Sequence, residues 1–208
     1  MPRRVQSLLL EGPAGKLEAR LDLPDEPPGE AALVCHPHPL YGGTMHNKVV
    51  HRLARGLARS GSVVLRFNFR GVGRSEGKHA HGAGELEDAR AALSWLRAQH
   101  PGLPFALAGF SFGSRVVSQL GCELDRRPSR VVLAGFPTRM GDLSYLERCA
   151  APKYFLQSTH DHFGPRDELE TLFERFAEPK KLIWVEADDH FFAGSLEVLE
   201  HLVLTLPR

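Results

Sequence analysis

Six short apolar runs recur along the chain, at 31–35, 63–67, 104–108, 130–134, 154–157 and 181–185, and none alternates regularly with polar residues. A strand with one wet face must alternate, so runs of this kind predict strands buried on both faces. Between them lie segments with helical spacing. Val49, Val50, Leu53 and Leu57 mark 48–59, and Leu86, Ala89, Leu93 and Leu96 mark 84–99. Further helices are expected at 112–124, 167–176 and 192–206, with a short one at 143–148. Ahead of the first run, 5–11 and 16–23 flank Gly12-Pro13-Ala14-Gly15, a hairpin signature. Strand–helix alternation after a hairpin predicts an α/β fold. Its core is a mostly parallel eight-stranded sheet with helices on both faces and the first pair of strands antiparallel. In such sheets ligands gather at the carboxyl ends of the strands. The chemistry is therefore sought just after each run.

With 208 residues and no linker-like tract, the chain reads as a single domain over 1–208. Its 26 Lys and Arg against 25 Asp and Glu leave a net charge of +1, which gives no case for a nucleic-acid or anionic-membrane partner. The basic residues are mostly Arg and read as solvated helix faces. No apolar run approaches the roughly 20 residues of a membrane span. Met1-Pro2-Arg3-Arg4 begins like a signal peptide, but Gln6 and Ser7 break the apolar stretch and Glu11 stops it. Cys35, Cys122 and Cys149 are odd in number and widely spaced, so neither a disulfide framework nor a zinc ribbon is expected. Each reads as a small buried hydrophobe in a reducing cytoplasm.

After the run at 104–108 comes Gly109-Phe110-Ser111-Phe112-Gly113, followed by a helical segment. G-x-S-x-G in strand–turn–helix context raises a serine hydroxyl above the sheet. Side chains two residues to either side would strike the neighbouring strand and helix, so both positions must be small. The helix starting at Phe112 points its free N–H groups at the serine oxygen, which makes the Phe112 amide an oxyanion donor. A nucleophilic serine needs a base and an orienting acid, in the chain order Ser, then Asp or Glu, then His. Asp161 stands just past the run at 154–157, and His190 lies in the loop before the final helix. Glu186, Asp188 and Asp189 sit too close to His190 in sequence to reach its far nitrogen, and read as loop residues.

The first buried run ends in Cys35-His36-Pro37-His38-Pro39-Leu40-Tyr41-Gly42-Gly43-Thr44. This loop is expected to face the serine and supply a second oxyanion N–H. Pro37 and Pro39 have none, which leaves His38, with Leu40 as the alternative. The loop Asn68 to Gly77 misses the glycine spacing of both nucleotide motifs and reads as structural. His36/His38, His79/His81 and His160/His162 are spaced to chelate a metal. The barrel that a strand-end His-x-His would suit needs about 250 residues, and the serine turn would go unexplained. No metal is therefore expected, and His79 and His81 read as polar-loop residues.

Together these residues resemble the α/β-hydrolase superfamily, over nearly the whole chain from Val5 to the helix after His190. His36-Pro37-His38-Pro39, with Gly42-Gly43-Thr44-Met45 and Asn47-Lys48, resembles small uncapped bacterial hydrolases related to dienelactone hydrolases and carboxylesterases. The resemblance implies Ser111 as nucleophile, Asp161 as acid and His190 as base, with no cofactor. Two features depart from the pattern. Dienelactone hydrolases proper use a cysteine nucleophile, and His160 stands before Asp161 where many relatives have a small residue. The segment between the sixth and seventh strands is too short for a cap domain, so an open site is expected. The implied activity is cleavage of a small carboxylic ester through an acyl-enzyme. A thioesterase or lactone hydrolase with the same triad, and a non-catalytic ligand-binding homologue, are the other readings. Tyr41, Phe110, Phe112, Phe136, Phe163, Phe191 and Phe192 fall near the strand tops as candidates for an apolar acyl pocket.

Overall fold

The computed structural model describes residues 4–208, so Met1 to Arg3 of the signal-like N-terminus lie outside the described residues. The apolar stretch that follows them is an edge strand. β1 (Arg4–Gly12) pairs antiparallel with β2 (Gly15–Leu23). The other strands are β3 (Glu30–Cys35), β4 (Ser62–Phe67), β5 (Phe105–Phe110), β6 (Arg130–Ala134), β7 (Lys153–Ser158) and β8 (Lys180–Val185). They form one eight-stranded sheet in the order β1-β2-β4-β3-β5-β6-β7-β8. From β4 across to β8 every pairing is parallel. The β2–β4 pairing is antiparallel too, because the hairpin returns before the parallel part begins.

Successive residues of a strand face opposite sides of the sheet. In β3, Ala31, Leu33 and Cys35 enter one apolar core while Ala32 and Val34 enter the other. The helices α1 (Lys48–Arg59) and α5 (Leu196–Thr205) cover the second core. The first is covered by α2 (Ala83–Gln99), α3 (Phe112–Glu123) and α4 (Arg166–Arg175). Central strands β3, β4, β5 and β6 are buried along their whole length, as continuous apolar runs require. β8 departs from that expectation. It is the outer strand, with one side unpaired, and only Val185 in it is buried.

Three other expectations change. The last helix starts at Leu196 rather than 192, because Phe192 at φ 57° and Gly194 at φ 78° wind an extra turn first. Residues 143–148 form only a turn of 3-10 helix, Ser144–Glu147. Cys122 and Cys149 are joined in a disulfide, with Cα atoms 5.0 Å apart. The β6–β7 connection folds back over the end of α3 and brings the two thiols together, which their sequence separation of 27 conceals. Cys35 alone fits the buried-hydrophobe reading, and burial pushes its thiol pKa well up.

The arginines are also less solvated than expected. Arg130 and Glu30 are fully buried partners at 2.6 Å, at the amino ends of β6 and β3. On the helical face, Arg52, Arg55 and Arg59 of α1 converge on Glu200 of α5. Among the described residues no helix is long and apolar enough to cross a membrane.

Candidate active site

Ser111 stands between β5 and α3 with φ 54° and ψ −120°, a conformation that costs a residue with a side chain about 1–3 kcal/mol. Its surroundings hold it there. Ser111 N–H donates to the Ala134 carbonyl at 2.9 Å, and its own carbonyl accepts from Ser114 N and Oγ at 2.9 and 2.6 Å. A Cβ on Gly109 would stand 2.3 Å from the Gly113 oxygen, and one on Gly113 would stand 2.4 Å from the Cys35 oxygen. Both obstacles are backbone, so neither can yield, and the steric reason for the two glycines is met on both sides of the turn.

The sheet brings two of the distant candidates into direct contact. Asp161 follows β7, His190 follows β8, and His190 Nδ1–H donates to Asp161 Oδ2 at 2.7 Å with both residues about 5% exposed. That bond fixes the tautomer and leaves Nε2 as the ring's uncommitted nitrogen. The imidazole packs on the ring of Phe110, which precedes Ser111, at 4.8 Å, and under that of Phe163 at 4.6 Å. Gly135 completes the seat, since a Cβ there would come within 3.0 Å of His190 Cε1. A hydrogen bond from Ser111 Oγ to His190 Nε2 is not among those formed by the described residues. In serine hydrolases that bond is often long until substrate tightens it.

Sequence reasoning overlooked the support beneath the acid. Asp161 Oδ1 accepts from the N–H of Phe163 at 2.8 Å and of Gly164 at 3.2 Å. Oδ2 also accepts from Gln157 Nε2 at 2.9 Å. Gln157 is itself locked, because its Oε1 accepts from Phe136 N–H at 2.7 Å. Its signal was a polar residue closing the otherwise apolar run at 154–157, shortly before Asp161. His160, the departure noted above, turns away from Asp161 and lies 2.9 Å from the Ala187 carbonyl through Nδ1. Asp189 is a loop organiser, its Oδ1 accepting from Phe191 and Ala193 N–H at 2.8 and 3.0 Å.

His38 packs edge-on against Phe112, their centroids 4.9 Å apart. Leu40, the alternative, donates its N–H to His38 Nδ1 at 3.2 Å, so that amide is already committed. His36 is no partner for a metal beside His38. It donates from Nδ1 to the Pro37 carbonyl at 2.6 Å and accepts at Nε2 from Phe69 N–H at 3.0 Å. Burial holds its pKa down at about 4, so it stays neutral. Among the described residues no group of three or more His, Cys, Asp or Glu is arranged to hold a metal.

His79 does not sit in open polar loop as expected. Its side chain is largely buried, Nδ1 lying 2.9 Å from Glu85 Oε1, and its ring packs at a tilt against that of His38, centroids 4.9 Å apart. Burial pushes the Glu85 carboxyl pKa up, but the N–H groups of Ala80 and Gly82 and the nearby His79 outweigh it and hold it below its ordinary value. Burial, with His79 adding to it, pushes the His38 pKa down. The seven aromatics divide. Phe110, Phe136 and Phe192 are core, Tyr41, Phe163 and Phe191 are exposed around the site, and Phe112 is buried at the wall of a cavity of about 410 Å³.

Residues 32–197 match the family model described as an alpha/beta hydrolase domain. An uncharacterized protein of Rickettsia prowazekii is 39% identical over 201 residues, spanning 91% of this chain and 83% of that protein. The structure of an alpha-beta serine hydrolase homologue from Coxiella burnetii superposes with a TM-score of 0.91 at 33% identity, covering 96% of this chain and 95% of the other. A serine hydrolase without lid from Xanthomonas campestris gives a TM-score of 0.89 at 35% identity, over 98% of this chain and 93% of that one.

Proposed function

The chain belongs to the alpha/beta hydrolase domain family, and from that premise we propose that it is a serine esterase that cleaves small carboxylic esters. Ser111 Oγ attacks the ester carbonyl while His190 Nε2 takes its proton, and Asp161 steadies the imidazolium. The N–H groups of Phe112 and His38 hold the oxyanion. One such donor is typically worth about 3 kcal/mol of barrier. His190 then returns the proton to the leaving alcohol, and a water activated by the same imidazole releases the acid.

The observation that carries the reading is the 2.7 Å His190–Asp161 bond, formed beside a serine held at positive φ by two obligatory glycines. Nothing in the fold needs an imidazole–carboxylate pair buried at the strand tops, and a strained serine beside it has no structural purpose. The Cys122–Cys149 bond removes the cysteine part of the case for a cytoplasmic placement.

A fluorophosphonate probe tests the nucleophile directly. Ser111 is expected to carry the label and 4-nitrophenyl acetate to be hydrolysed, with both lost in Ser111→Ala. Full turnover by Ser111→Ala, or folded protein that takes no label at Ser111, rejects the proposal.

A further inference from the structure

One charged group beside the serine has no part in that chemistry. Arg115 lies four residues past Ser111, one turn along α3, and helical side chains lean back toward the N-terminal end. Arg115 lines the 410 Å³ cavity together with Leu86, Phe112, Met140 and Tyr145. Its guanidinium sits 5.5 Å over the Phe136 ring and 5.6 Å over that of Tyr145. Two of its five N–H bonds are used, one to Tyr145 Oη at 3.2 Å and one to the Asp142 carbonyl at 2.8 Å. Arg66, Arg70 and Arg130 each meet a carboxylate within 2.8 Å. Arg115 meets none among the described residues.

The acidic groups nearby make their hydrogen bonds elsewhere, and the Asp142 carboxylate meets Arg115 only through the attraction of the two charges. Asp142, at the cavity wall, accepts from Ser144 with both oxygens, at 2.9 and 2.7 Å. Glu85 turns its oxygens to the N–H groups of Ala80 and Gly82. The opposite wall includes Gly82 and Ala83 at the N-terminal end of α2, where Glu85 already takes the Gly82 N–H at 2.8 Å. The cavity thus offers apolar wall from Leu86, Phe112 and Met140 beside the fixed cation of Arg115.

The chemistry decides which half of an ester reaches it. His190 must hand its proton to the leaving oxygen, so the leaving group lies on the His190 side, near Phe163 and Phe191. That leaves the acyl chain the opposite side, where Phe112, the residue after Ser111, forms part of the cavity wall. We propose that the cavity at Arg115 is the acyl subsite and selects acyl groups that end in a carboxylate, as in half-esters of dicarboxylic acids. This rests on the serine-hydrolase reading of Ser111.

The test compares mono-4-nitrophenyl adipate with 4-nitrophenyl hexanoate, which share leaving group and acyl length and differ in the terminal charge. The adipate ester is expected to have a kcat/KM at least about tenfold higher, the scale of a charge-assisted hydrogen bond. In Arg115→Gln that ratio collapses to about one, and Arg115→Lys retains part of it. Equal turnover of both esters by the wild type, or a ratio that survives Arg115→Gln, overturns the subsite while leaving Ser111 labelling intact. Turnover of neither ester, with Ser111 unlabelled, overturns the parent reading as well. Should Arg115→Gln fail to fold, competitive inhibition of wild-type 4-nitrophenyl acetate turnover decides. Tighter inhibition by adipate than by hexanoate supports the proposal, and the reverse order refutes it.

Discussion

Asp161→Asn tests the proposed catalytic role by an isosteric change. The four groups around the Asp161 carboxylate are all donors: the N–H groups of Phe163 and Gly164 on Oδ1, and Gln157 Nε2 and His190 Nδ1 on Oδ2. A carboxylate can accept from every one of them, whereas an asparagine must turn its NH₂ toward one pair. Facing the two backbone amides would set two fixed donors against it in a buried site, at about 1–3 kcal/mol for each lost partner. Facing Gln157 and His190 costs less, because the imidazole can move its proton to Nε2 and accept at Nδ1. Gln157 cannot flip in response, since its Oε1 is held by Phe136 N–H. The cheaper arrangement therefore protonates the nitrogen that has to act as base. From this wrong tautomer kcat is expected to fall about 10³–10⁴-fold, with the residual rate supplied by the oxyanion donors. The assay is 4-nitrophenyl acetate turnover, normalised to active sites by fluorophosphonate labelling and paired with a thermal melt. A loss below tenfold in folded Asp161→Asn would refute the tautomer argument.

Stability gives the remaining tests. Glu30→Gln strands the buried Arg130 cation, so it is expected to cost about 3–5 kcal/mol and lower Tm by roughly 10 °C. The double change Glu30→Leu with Arg130→Met recovers most of this, and a melt that ranks the two variants the other way counts against the ion-pair reading. Opening the Cys122–Cys149 bond frees a loop of 27 residues, and chain entropy puts its loss at about 3.5 kcal/mol. Identical melts with and without reductant would contradict that. His36 has its pKa lowered from 6.5 to about 4 by burial, so between these values the unfolded chain binds the proton first. Stability is full above pH 6.5 and falls as pH drops toward 4, by about 3 kcal/mol from this residue. Urea melts at pH 7 and 4 are expected to show that excess loss in the wild type and not in His36→Gln.

The elements that sequence exposed most sharply are those set by local steric demands. The bounds of α1 fall where its periodicity starts and stops, and the elbow glycines follow from contacts within five consecutive residues and the strand beside them. The Ser–Asp–His order was readable because each residue sits at the end of a run that had to be a strand. What stayed hidden depends on pairings between distant segments. Cys122 meets Cys149, and His79 meets both Glu85 and His38, only once the connections have folded over the sheet. Gln157 ends the run at 154–157, and only the folded loop brings its side chain to Asp161. The start of α5 was misplaced because apolar Phe192 kept the helical rhythm while its backbone turned left-handed.

Between β6 and β7 the chain forms no more than a turn of 3-10 helix, so among the described residues that connection supplies no hinged cover over the serine. A reaction under such a cover is throttled by the friction of opening and closing it in solvent. Under the proposed esterase reading, an uncovered site leaves acyl transfer to set the pace, so a viscogen such as sucrose is expected to leave kcat unchanged and slow only the diffusive arrival of ester.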